Sequence, residues 1–268
     1  MKLIQVIPLF FFFVIFSTTV FADARSDYDY QYSKYREHYS EFLLFKKDYL
    51  TNPTLDNQQK ALLLAKLSMN TRDLTYASFA AYLRSLISSN NLQYEPINPV
   101  SSSLISAQQF FLTESSKSQS IVTLQDMDTF DADYTKSYPE HEKSLKSGIV
   151  AAKIAKFKNL SLQQDQALKK LKQKLADNVS VRVTERIDQL EKDLLVITEK
   201  IDNMAIFLIS KEGMDNADSE IFFSAKIELL SDIRTLQLKW MDQLIDLDLN
   251  YGKIWNKQPR SPRIYRKI

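Results

Sequence analysis

Cysteine is absent from the 268 residues, glycine occurs three times and histidine twice. Each scarcity removes a class of chemistry. Without cysteine there is no disulfide, no thiolate nucleophile and no lipid-modified N-terminal cysteine, so stability has to come from packing. Glycine this scarce, against about 7% in ordinary proteins, leaves no Gly-rich phosphate loop and argues against β-hairpins and doubly wound α/β folds, whose turns need positive φ. The two histidines, His38 and His141, fall on different predicted helices with no second ligand at metal spacing, and read as surface or capping residues.

What remains is apolar and periodic. Hydrophobic residues make up 44% of the chain, ample for a core. Leu168, Leu171, Leu175, Val179, Val183, Ile187, Leu190, Leu194, Ile197, Ile201, Met204 and Leu208 recur at the helical period. They predict one long organising helix from Ser161 to Ser210, opened by a Ser161–Gln164 capping box and ended before Gly213. The alternation of Val179, Val181 and Val183 is a strand-like mark inside it. Met204 to Ile209 is apolar on every side and is expected to be buried all round, Phe207 included. The expected fold is all-α: an elongated helical bundle built on a long antiparallel helical hairpin, with a small N-terminal three-helix unit.

Taken in order, residues 1–22 read as a signal peptide: Lys2, an uncharged run from Leu3 to Ala22, and small residues suited to cleavage after Ala22 or Ala24. An uncleaved membrane anchor is the alternative. Residues 23–93 form the N-terminal unit. Its first helix carries an aromatic face of Tyr28, Tyr32, Tyr35, Tyr39, Phe42, Phe45 and Tyr49, which reads as packing edge more than as a sugar-binding or peptide-binding stripe. A second helix, capped by Thr54 or Asp56, runs to about Met69, and a third, opened by Thr71, to about Ser88. Residues 94–120, with Pro96 and Pro99 and a polar run from Thr113, read as a linker holding a short helix.

Residues 121–257 are the long bundle. Its first segment carries Leu124, Met127, Phe130, Tyr134 and Tyr138, and a second capping box of Ser137 and Glu140 around Pro139 predicts a kink or a restarted helix. The last helix, about Ser219 to Trp255, has two apolar rows, the second being Phe223, Ile227, Leu230, Leu238, Met241, Ile245 and Leu249. Two rows predict packing against more than one neighbour. Residues 258–268 close the chain as a basic tail, and from Lys253 onward six lysines and arginines occur without an acid.

No motif assigns a catalytic residue, a cofactor or a metal. Asp126, Asp128, Asp131 and Asp133 have acids at calcium-loop spacing, but Phe130 and Ala132 stand where such a loop needs an oxygen ligand and a glycine, so the cluster reads as a solvated helix face. The sequons Asn159–Ser161 and Asn178–Ser180 are three-residue matches of little weight. The function expected is an exported structural or protein-interaction module of the cell envelope or extracellular space, with a protein or envelope component as partner and a homo-oligomer as a second candidate. The alternatives are an exported hydrolase with acids in a groove, and a membrane-surface protein whose basic tail meets an anionic surface. Export makes nucleic acid the least fitting partner.

Overall fold

The structure, a computed structural model, describes the backbone of residues 7–89, 94–175, 180–209 and 219–251, and the side chains of 23–89, 94–175, 180–208 and 227–251. The described residues form six α-helices and a short 3-10 turn, and no strand occurs among them. The helices are α1 (Ile7–Thr51), α2 (Leu55–Ser88), α3 (Asn98–Gln119), α4 (Leu124–Leu175), α5 (Val181–Ile209) and α6 (Ser219–Tyr251), with the 3-10 turn at Glu95–Ile97. The all-α fold follows from the uniform 3.6 period. The chain divides into two compact units, the first of residues 1–155 and 205–224, the second of 156–204 and 225–268. The side chains of 1–22, the expected stop at Gly213 and the tail from Gly252 lie outside the described residues.

In the first unit α1 and α2 are antiparallel: Tyr28 meets Phe79 and Tyr82, while His38 Nδ1 lies 3.4 Å from Thr71 Oγ1. The sequence predicts two helices over 54–88, but α2 is unbroken. Thr54 caps it by accepting from Asn57 N at 3.2 Å. Thr71 does not cap a second helix, because its hydroxyl donates to the Leu67 carbonyl at 2.8 Å and is spent inside the first.

Residues 94–120 are not chiefly a linker. α3 occupies 22 of them and buries Val100, Leu104, Ala107 and Phe111. Pro99 stands in its first turn, where a missing N–H costs nothing. The polar run stays helical because Ser115 and Ser118 are buried with partners: Asn70 Nδ2 donates to Ser115 O and Oγ at 2.9 and 2.8 Å, and Ser118 Oγ donates to Ser115 O.

α4 begins on a capping box that the sequence reading passed over. Asp126 accepts from Val122 N and Thr123 N at 3.0 and 2.8 Å, and Thr123 Oγ1 accepts from Asp126 N at 3.1 Å. These bonds hold the Asp126 carboxyl below the usual aspartate range. Pro139 lies inside α4 and the helix does not restart there. The carbonyl of Thr135 loses its donor, but Thr135 is exposed and water can replace it. Further along, Gly148 is closely packed. A Cβ there would stand 2.8 Å from Leu104 Cδ2 and 3.0 Å from Leu83 Cδ1, both leucines being buried. Gly148→Val is therefore expected to cost about 1–3 kcal/mol through overpacking, more than the helix propensity it gains. Equal stability of Gly148→Val and the native protein in urea denaturation would contradict this packing.

In the second unit the remainder of α4 packs with α5 and α6. The expected helix from Ser161 to Ser210 is not one helix. α4 passes through Ser161 and ends at Leu175, and α5 starts at Val181. Ser180 stands before α5 outside either helix, and its carbonyl accepts from Val183 N at 2.9 Å and Thr184 N at 3.1 Å. The Ser161–Gln164 box is overturned as well: both side chains are buried in mid-helix. The apolar rows themselves are as expected, since Leu168, Leu171, Val183, Ile187, Leu190, Leu194, Ile197, Ile201, Met204 and Leu208 are all buried. Met204 to Ile209 is not buried all round. Ile206 is exposed and Phe207 is at 36%, so the helix has a wet side there.

Candidate functional site

Two places in the molecule carry more than packing requires, one buried in the first unit and one exposed in the second.

The buried place lies among α2, α3 and α4. Asp73 is fully buried, and Arg72 holds it from the adjacent position, Nε to Oδ1 at 2.9 Å and Nη2 to Oδ2 at 3.3 Å. The guanidinium also lies 3.9 Å from the centroid of the Tyr134 ring, a close cation–π contact. Burial raises the Asp73 carboxyl above the usual aspartate range, against the pull of Arg72. The Tyr134 hydroxyl is buried and makes no hydrogen bond of ordinary geometry. Burial first, and the Asp73 carboxylate second, push it far above the usual tyrosine range. Glu114, also buried, accepts from Lys117 Nζ at 2.8 Å. Around these groups run Tyr76, Phe111, Tyr138 and Phe110, and His141 stacks on Phe110 with centroids 3.9 Å apart and planes at 16°. Burial lowers the His141 imidazole below the usual range. With its ring packed this way, His141 is a half-buried packing residue.

Sequence reasoning missed Arg72 and Asp73. Placing a helix start at Thr71 put them in a first turn, where charge is ordinary, whereas in an unbroken α2 they are two charges in a buried row. What the cluster can do chemically is limited by access: the acid is enclosed and neutralised by its neighbour. The acids Asp126, Asp128, Asp131 and Asp133 are exposed, as expected. Among the described residues no group of three or more His, Cys, Asp or Glu is placed to hold a metal ion. Ser161 of the first sequon is buried, and Asn178 of the second lies outside the described residues.

The second unit holds a buried polar layer and an exposed apolar row. Gln237 Nε2 donates to Phe157 O and Ser161 Oγ, both at 3.0 Å, and Gln164 Nε2 donates to Gln237 O at 3.2 Å. The Oε1 atoms of Gln164 and Gln237 are buried without a partner. These donors meet their acceptors only when Gln237 stands level with Phe157 and Ser161, so the layer fixes the register of α6 on α4. Lys174–Asp248 at 3.5 Å and Arg186–Asp246 at 2.6 Å hold α6 to its two neighbours, and Lys158–Asp202 and Lys172–Glu191 hold α4 to α5.

α6 buries Leu230, Ile233, Trp240, Leu244 and Leu247. α6 has two neighbours, α4 and α5, as expected, but most of its second row faces neither of them. Ile227, Leu238, Ile245 and Leu249 are 49, 47, 40 and 59% exposed. At 100° per residue these four share an arc of about 40° on the side away from the buried row. Glu228, Asp232 and Asp242 stand along one edge of it with Lys239 among them, and Arg234 borders the other edge, all five exposed. Among the residues with described side chains no helix is long and apolar enough to cross a membrane, and Leu3 to Ala22 lies outside that set. Comparison with known proteins finds no matching protein family, no similar curated protein and no similar solved structure.

Proposed function

We propose that the protein is an exported helical interaction module of the cell envelope or extracellular space, and that its docking face is the outer side of α6. The observation that supports this is the row Ile227, Leu238, Ile245 and Leu249, apolar at helical spacing and directed away from the core. A row of this kind fits an amphipathic helix of a partner protein, which covers one such stripe with its own. Completing the burial of four half-exposed side chains gives about 1 kcal/mol each, roughly 4 kcal/mol in all, which the cost of association, about 4 kcal/mol or more, offsets. A partner must therefore add contacts, and the charges of both signs beside the row, Glu228, Asp232 and Asp242 with Lys239 and Arg234, offer them. Asp73, enclosed and paired with Arg72, gives the hydrolase reading no support.

The test places a photoreactive side chain at Leu238 or, for comparison, at Lys200, which is exposed on α5. In the envelope fraction Leu238 is expected to give one discrete adduct that Ile245→Asp abolishes. Equal adducts from the two positions would remove the support for a docking face on α6.

A further inference from the structure

We propose that one flank of α1 is a contact surface for an anionic lipid membrane. This surface is separate from the outer face of α6 and does not depend on docking there.

α1 is a peripheral helix: it packs on α2 along one side, and none of its described side chains is fully buried. Tyr35, Phe42, Phe45 and Tyr49 mark the half-buried side. About a quarter turn round the helix from them, Tyr32, Tyr39 and Leu43 are half exposed and Leu50 is mostly exposed. At 100° per residue these four share an arc of about 40°, and from Tyr32 to Leu50 they extend about 27 Å. Arg36, Lys46 and Lys47, all exposed, border the row within about 60° of its centre, Lys46 on one side and the other two on the opposite side. No acid borders it over that length. Glu37, Glu41 and Asp48 stand about 120° or more from the row, and Asp29 lies beyond its N-terminal end, paired with Arg25 at 3.6 Å.

The three cations also differ from their neighbours in having no counter-ion. Lys34 is tied to Glu37 and Lys60 to Asp56, whereas among the described residues Arg36, Lys46 and Lys47 join no ion pair. Two of them lie against aromatic rings instead, Arg36 at 5.9 Å from the Tyr32 centroid and Lys46 at 5.8 Å from that of Phe42.

Charge selects the occupant. A second copy of the chain would bring these cations against the same cations. A partner helix is held in one register by charges of both signs, such as those beside the row of α6, but here the sign is single. Cations of one sign beside a narrow apolar row attract without fixing a register, which suits a fluid anionic surface. The residue types agree. Tyrosine places its ring at the apolar boundary with its hydroxyl among headgroups, and lysine and arginine run their stems along apolar surface to a charged end. Neither the short row nor three charges hold a membrane alone, so the contact needs both and is reversible.

The chain has no cysteine, so one introduced cysteine carries a polarity-sensitive dye without interference. Leu43→Cys places it on the flank, and Leu44→Cys, also exposed, places it about 100° round the helix. The two proteins are otherwise identical, so the difference between the dyes reads the flank and not the attachment of another segment. On phosphatidylcholine vesicles with about one-third phosphatidylserine, the dye at position 43 is expected to shift to the blue and to be quenched by brominated lipid, and the dye at position 44 to stay in water. Each cation should strengthen the partition about fivefold, so Arg36→Gln with Lys46→Gln and Lys47→Gln should weaken it about 100-fold, and salt near 1 M should weaken it likewise. These exposed substitutions leave the helical circular dichroism unchanged. Equal responses from the two dyes, a response as large on phosphatidylcholine alone, or a triple variant that partitions like the native protein would each overturn the proposal. So would an equal shift at position 43 on adding soluble polyglutamate, which would make the occupant an acidic polypeptide.

Discussion

Trp240→Ala is expected to destabilise the second unit by about 3–5 kcal/mol, the range for losing a large aromatic side chain from a core that cannot collapse around the gap. Trp240 is 1% exposed, and its Nε1 donates to the Leu190 carbonyl at 2.7 Å, so the indole both fills the space between α6 and α5 and ties them. Trp240→Phe keeps most of the volume and forfeits the bond, and should cost about 1–2 kcal/mol. Leu238→Ala, two residues away and half exposed, should change stability by no more than about 0.5 kcal/mol. The three variants are ranked by urea denaturation followed through helical circular dichroism. Equal losses for Trp240→Ala and Leu238→Ala would mean that the buried and exposed sides of α6 are assigned the wrong way round.

Asp73→Ala is expected to cost about 3–5 kcal/mol, because it leaves the Arg72 guanidinium, 23% exposed, without its counter-charge. Replacing both partners, as Arg72→Met with Asp73→Leu, should recover much of that loss, since an apolar pair leaves no charge to desolvate. A double variant as unstable as Asp73→Ala alone would show that the cluster matters for shape and not for charge. The pH dependence has a definite sign. Burial raises the Asp73 carboxyl above its unfolded value, with Arg72 opposing and Tyr134 and Glu114 as the other facing groups. The folded state thus holds the proton more tightly than the unfolded state, and the stability this confers is complete below the ordinary aspartate range and lost as pH rises through the raised value. Relative to Asp73→Asn, which does not titrate, the native protein should gain stability as the solution is acidified from neutral pH toward that range. A difference independent of pH would mean that Asp73 titrates as it does in the unfolded chain.

The fold class was legible because helical periodicity is a local property. The row from Leu168 to Leu208 has one side to bury whether or not its helix is continuous, and nearly all of it is buried. Helix ends were less legible, because capping residues have two uses. Thr71, Ser161 and Gln164 are the right residue types for a helix start, yet in mid-helix the first bonds its own backbone and the other two enter a polar layer with Gln237. Pro99 misled for a related reason: the cost of a proline depends on whether its missing N–H was needed, which in a first turn it was not.

From its own pattern of residues the chain determined that it would be helical, cysteine-free and dependent on apolar rows for stability, since scarcity of glycine and a 3.6 period act through backbone conformation alone. Only the tertiary structure decided which rows are covered. Ile154 and Leu238 are equally apolar in sequence, but one is fully buried and the other is half in water. The difference arises because burial depends on a neighbouring helix standing opposite, and α6 has its neighbours on one side only. The same reason hid Arg72, Asp73 and His141: their desolvation comes from residues about 30 to 60 positions away on other helices, and no local pattern records it.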